Sequence, residues 1–286
     1  MAYSAEEREF FSFIRSNFFN KNDFSKKIKK NYEEKNEKLS KEHILNNASD
    51  IIFYLVKNST NLWNKVVKDI ESNWVELFLT ESIKEQKKFP KIYKLFKNLH
   101  SKKIDPKNPE QTTVNVANHL GELFSHLVYS NKQFAKSKAG SLFEFHIQTL
   151  LNICKYKYDR QQELTKGEVL DFVFPSIKIA KKNPELCISA ECQNTLKDRV
   201  RLTQGKLQKS KIKRCLFTAT GLNAATQSDH LDLSENKITQ LKELGITLVV
   251  FKKIKDGKFS DENSVISYED FFNTLYPNMI EKTKSD

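Results

Sequence analysis

The sequence predicts an α/β protein, a three-layer core on a mixed central sheet with a helical region ahead of it. Three observations predict this. The first half repeats apolar residues at three- and four-residue steps, the period of a helix face. The second half alternates short apolar runs with helical stretches, the pattern of strands covered by helices. Between the two lies a polar segment broken by Pro106 and Pro109, "SKKIDPKNPEQ" at 101–111.

The helical half contains "EEREFFSFIRSNFF", "EHILNNASDIIFYLVKN", "NLWNKVVKDIESNWVELFLTESI" and "TTVNVANHLGELFSHLVYS". Thr60 or Asn61 is placed to cap the third and Asn108-Pro109 to open the fourth. The α/β half starts with a long helix, "SKAGSLFEFHIQTLLNICKY", with Phe143, Ile147, Leu150, Leu151 and Cys154 on one side. "VLDFVFP" is a strand stopped by Pro175, and "LCISAECQ" is a second strand. A helix, "KDRVRLTQGKLQKSK", leads to a third strand, "RCLFTAT". "SENKITQLKEL" is a helix with Ser234 as its cap, "ITLVVFKK" a fourth strand and "SYEDFFNTLY" a closing helix. The expected division is a helical region at 1–130 and an α/β domain at 131–286, with the transition between 110 and 135.

Composition narrows the function classes. Apolar residues are 38% of 286, and 21 Phe supply bulky core material. Seven Gly and 6 Pro leave no room for low-complexity linkers. The longest apolar runs, "IIFYLV" and "ITLVVF", fall far short of a membrane span. The start, "MAYSAEEREFF", is acidic and lacks the build of a signal peptide. The four Cys sit in apolar contexts without metal-type spacing, as reduced thiols in a cytoplasmic protein do. The six His show no zinc spacing, and no phosphate-binding glycine pattern or nucleophile elbow occurs. A net charge of +12 favours a polyanionic partner. The same lysines also fit an AT-rich coding sequence with a solvated surface, so charge alone leaves both readings open.

The chemistry-bearing residues lie on two strands. Asp171 opens the first and Glu191 stands near the end of the next. Alternate residues of a strand share a face, so Ser189, Glu191 and Gln193 point one way and Ile188, Ala190 and Cys192 the other. If the strands are neighbours, the two carboxylates converge into a hard-oxygen site of the kind Mg²⁺ accepts. Solvated strand-edge acids are the ordinary alternative. Lys197, Asp198 and Arg199 then begin a helix. Lys and Arg donate to guanine O6 and N7, and Asp accepts from cytosine N4; an acid near a helix start also simply suits the macrodipole.

"LDFVFPS" followed by "CISAECQNTLKDR" resembles the PD-(D/E)XK nuclease core. More narrowly, it is similar to the catalytic domain of EcoRII-like type II restriction endonucleases, over roughly 135–275. The resemblance implies a restriction-endonuclease-like core in which Asp171 binds metal and Gln193 occupies the position of the catalytic lysine. It implies that Lys197, Asp198 and Arg199 read C·G pairs and that Glu144 assists the metal; Arg201, close by, is a further expected DNA contact. Two departures stand out. The family lysine is Gln193, which can position a water but carries no charge. The family's second acid, thirteen residues later, is Lys206, while Glu191 stands two before Gln193. One Asp, one Glu and one Lys are thus present in a different order. The expectation is that Glu191 takes the helix acid's task and Lys206 the strand lysine's; a solvated Lys206 is the alternative.

The resemblance implies a Mg²⁺-dependent homodimer in the bacterial cytoplasm, cutting both DNA strands at a short palindrome with CC/GG halves. A sequence-specific DNA-binding protein with a decayed nuclease core, and a structure-specific repair nuclease, are the competing expectations.

Overall fold

A computed structural model describes residues 4–101, 109–165, 168–194, 196, 212–220 and 233–285. Among the described residues, six strands form one mixed sheet in sequence order. They are β1 (Asp159–Thr165), β2 (Glu168–Phe174), β3 (Ile188–Gln193), β4 (Lys213–Thr218), β5 (Ile246–Val250) and β6 (Val265–Ser267). The pairs β1/β2 and β2/β3 are antiparallel; β3/β4, β4/β5 and β5/β6 are parallel. Parallel strands need crossovers, which cover the sheet and demand apolar strands on both faces. The buried runs of β3, β4 and β5 meet that demand.

The helices are α1 (Ala5–Phe18), α2 (Lys21–Lys35), α3 (Lys41–Ser72), α4 (Trp74–Lys84), α5 (Pro90–Ser101) and α6 (Pro109–Ile153). After the sheet begins come α7 (Ile177–Lys182), α8 (Glu235–Glu243) and α9 (Lys252–Lys258). The closing stretch is α10 (Tyr268–Asp270), a π-helical turn (Phe271–Leu275) and α11 (Tyr276–Ser285). The chain divides into two compact units, 1–24 with 60–138 and 25–59 with 139–286.

In the sheet-bearing unit, one face packs Leu216, Leu248 and Val250 against Ile238 and Leu241 of α8. The other carries Phe172, Phe174 and Phe217, with Phe271 edge-on to Phe217 at 4.7 Å. Buried aromatic pairs of this kind add to the area they bury. The closing stretch is tied to its unit by two capping devices. Ser267 and Asp270 form a reciprocal capping box. Buried Glu269 accepts from the Ser49 N–H at 2.8 Å and from its hydroxyl at 2.6 Å.

The helical unit buries Phe10, Phe11, Ile14, Ile70, Phe78, Phe89, Leu123 and Leu127 in one cluster. Phe10 meets Phe78 and Phe89 edge-on at 5.1 and 5.0 Å. Ser4 and Glu7 cap α1 reciprocally.

Three local expectations are corrected. Neither Thr60 nor Asn61 caps a helix, because α3 continues to Ser72, with Trp63 and Ile70 buried beyond them. The helix departs from helical dihedrals instead at Asn47, whose side chain donates to the His43 carbonyl and competes with the backbone ladder. The polar stretch after Ser130 is no break either. Ser130 and Asn131 are buried acceptors for Arg15, so α6 runs through them. And Asp171 sits mid-strand, since β2 reaches back to Glu168 through exposed Val169.

Removing the Glu269 carboxylate leaves the Ser49 N–H without its partner. Glu269→Ala is expected to lower unfolding free energy by about 2–3 kcal/mol, measured by urea denaturation. A loss under about 0.5 kcal/mol contradicts that accounting.

Candidate active site

The site is built at the seam between β2 and β3. Their backbone register runs from Phe174 opposite Ile188 to Phe172 opposite Ala190. Asp171 precedes this paired stretch on β2 and Glu191 follows it on β3, so the register continued by one step sets the two level. The expected neighbourhood of the two strands is therefore realised. On the other side, the pairs Arg160–Phe172 and Gln162–Leu170 put Gln161 opposite Asp171. Glu191 is in turn level with Leu216 of β4. A single row across the sheet thus reads Gln161, Asp171, Glu191, Leu216, passing from polar edge to apolar core.

Asp171 is held at both oxygens. Oδ2 accepts from the backbone N–H of Cys192 at 2.8 Å, and Oδ1 accepts from Gln161 Nε2 at 3.3 Å. Bonds to an ionised acceptor are the stronger class, and a backbone donor also fixes direction. Glu144, buried on α6, receives two donors on Oε1. They are Arg160 Nη2 as an ion pair and Gln161 Nε2 at 3.1 Å. Arg160 is aligned by Gln148 Oε1 at 2.5 Å and lies over the Phe172 ring. Gln161 itself has φ +49, in the left-handed region where side chains other than Gly, Asn and Asp are uncommon.

Burial pushes the Cys192 thiol well above its ordinary range. The carboxylates of Asp171, Glu144 and Glu191 push the same way, and Arg160 opposes them. Asp171 and Glu144 are brought together through Gln161, which donates to both. Gln193 ends β3, buried, with its carbonyl accepting from the Ala219 N–H at 3.2 Å. Lys197, Asp198, Arg199, Arg201 and Lys206 lie outside the described residues.

Carboxylates are hard donors. Among the described residues no three His, Cys, Asp or Glu are arranged to hold a metal ion. Mg²⁺ needs only one or two carboxylates, with water and substrate phosphate completing its shell. The Asp171–Glu191 pair fits that demand, and soft zinc-type ligation has no counterpart among these residues. His146 bonds Ser59 Oγ at 2.6 Å and His126 lies 3.4 Å from Glu7, so neither addresses the acids through these contacts.

The EcoRII C-terminal family model matches residues 107–272, more than half of the chain. The chain belongs to that family of type II restriction enzymes. The type II restriction enzyme SsoII of Shigella sonnei is 22% identical over 248 residues, spanning 84% of this chain and 70% of SsoII. Metal-depleted Ecl18kI in complex with uncleaved DNA shares the fold at a TM-score of 0.69 and 18% identity, covering 99% of this chain and 86% of Ecl18kI. Its complex with uncleaved, modified DNA matches at the same TM-score, over 98% of this chain and 84% of that one. The matched segment holds Glu144, Asp171, Glu191 and Gln193 together with β1 to β6, so the family core and the acid row coincide.

Sequence reasoning missed Arg160 and Gln161. Their strand, "DRQQELT", has no apolar alternation, because an edge strand with a solvated face needs none. The signal available was negative, a polar gap between a long helix and an Asp-bearing strand.

All four Cys are buried. Burial raises Cys154 and Cys187 to about 11 and Cys215 to about 12. Each folded value lies above the unfolded one, so the neutral thiols favour the fold fully below pH about 9. That contribution is lost as pH rises through the raised values. A disulfide thiol reagent at pH 8 is expected to label the folded protein slowly and the urea-unfolded chain at four sites. Urea stability is expected to fall from pH 9 upward. Rapid labelling of the native protein contradicts this placement.

Proposed function

We propose that the chain is a Mg²⁺-dependent type II restriction endonuclease that cuts both strands of DNA at a short palindrome with CC/GG halves. The observation that carries the reading is Asp171 and Glu191 at the same end of the paired stretch of adjacent strands, inside a segment matched by the EcoRII C-terminal family. That the relatives SsoII and Ecl18kI are named as a restriction enzyme and as a DNA complex supports it.

In this reading Asp171 and Glu191 hold the cation. Bound there, it supplies acidity to a coordinated water and offsets charge on a phosphate oxygen. Asp171 keeps its direction through the Cys192 N–H. Glu144 stands behind it, its charge balanced by Arg160. Gln193 orients water or substrate but cannot offset charge. We assign that task to Lys206, a point charge on a long flexible stem. Lys197, Asp198, Arg199 and Arg201 contact DNA, the first three reading C·G pairs. Cutting both strands of a palindrome calls for two sites related by a two-fold axis, hence a homodimer. Residues 1–130 supply dimer and phosphate contacts and 131–286 form the nuclease domain. Such an enzyme works in the bacterial cytoplasm.

Gln193 favours a second reading, a sequence-specific DNA-binding protein whose nuclease core has decayed. Plasmid DNA separates the two. The first reading expects discrete fragments in Mg²⁺ that Asp171→Asn abolishes. Site-specific retardation without cutting, in Mg²⁺ or Mn²⁺, supports the second.

Within the first reading, Lys206→Ala is expected to slow cleavage roughly 10²–10³-fold, as loss of one charge-stabilising group does, and Glu191→Ala to abolish it. Wild-type rates for Lys206→Ala beside an inactive Glu191→Ala sink the relocated lysine. Arg199→Ala is expected to cost roughly 1–3 kcal/mol on the specific site and little on random DNA. Equal losses in a competition binding assay reduce the triplet to backbone contact.

A further inference from the structure

We propose that Gln161 is a positioning residue, which from a left-handed backbone donates its side-chain amide to both Glu144 and Asp171 and sets their relative placement for a divalent cation. The inference rests on the reading that Asp171 binds metal.

The backbone comes first. Successive side chains of a strand point to opposite faces, so Arg160 and Gln161 should not reach the same atom. Both donate to Glu144 Oε1. They do so because φ at Gln161 is +49 and not the negative value of a strand. No residue is inserted there, since Arg160 still faces Phe172 and Gln162 still faces Leu170. The departure is confined to the one residue opposite Asp171. A Gln held in this conformation persists only where its surroundings over-determine it. The described contacts of its side chain are the two carboxylates, at 3.1 and 3.3 Å.

The chemistry explains why an amide serves. Nε2 carries two hydrogens, one for each acid. Two carboxylates repel, and a neutral bridge can hold them without neutralising either. A Lys or Arg in its place would compete with a bound cation for the same oxygens. Arg160 already balances Glu144, so an amide bridges the two acids without adding a second positive charge. Groups that orient metal ligands in this way change metal affinity about 10–100-fold when removed.

The test uses Mn²⁺ binding to the full chain, read by electron paramagnetic resonance, beside thermal unfolding. Gln161→Gly removes the amide and accepts the left-handed backbone freely. It is expected to leave the thermal midpoint unchanged or higher while weakening Mn²⁺ binding about 10–100-fold. Gln161→Leu keeps the bulk and is expected to weaken binding equally with a lower midpoint. Wild-type Mn²⁺ affinity in either variant overturns the inference. Asp171→Asn separates it from the underlying reading. If Asp171→Asn loses Mn²⁺ and Gln161→Gly does not, only the inference fails. If the wild type binds no Mn²⁺, or Asp171→Asn binds as the wild type does, the metal reading and the inference fail together.

Discussion

Asp171 Oδ2 accepts the Cys192 N–H at the seam of β2 and β3, at the point where the backbone pairing of the two strands gives way to a side chain. Most of the site follows from this one bond. It joins a carboxylate to the backbone of the neighbouring strand, so the acid moves only if the sheet moves. It also fixes Asp171 level with Glu191, which no rotamer preference of either residue would secure. Strands lie about 4.8 Å apart, and only a sheet buried on both faces keeps that spacing rigid. The aromatic layer at Phe172, Phe174, Phe217 and Phe271, and the aliphatic layer at Leu216, Leu248 and Leu241, hold it from the two sides.

The buried surroundings of Cys192 show what this arrangement does electrostatically. Three carboxylates act on one thiol, with Arg160 as the opposing charge. Arg160 and Gln161 answer Glu144 from β1, while Asp171 takes a neutral amide and a backbone N–H. These donors orient the Asp171 carboxylate.

The sequence made the acids legible because strands alternate and because "LDFVFPS" and "CISAECQNTLKDR" carry chemistry at fixed offsets. The apolar strands and the long amphipathic helices were legible for the same reason. What periodicity could not supply was the edge. β1 is polar but for Leu164, so its residues Arg160 and Gln161 look like loop. Continuity was also hidden. Ser130 and Asn131 read as a break, yet they are buried partners of Arg15 inside one helix. Local polarity marks a helix end only where water, and not a distant side chain, satisfies it. Nor does any period reveal that 25–59 joins the sheet-bearing unit, which depends on tertiary contacts such as Glu269 with Ser49.

The most direct measurement of the central claim, a site-specific cut made by the acid row, is a digest of a long DNA of known sequence in Mg²⁺ with every fragment end mapped. The account predicts that all ends fall at one short palindrome containing CC/GG halves, with both strands broken at a constant offset. Uncut DNA, or ends scattered without regard to sequence, would contradict it.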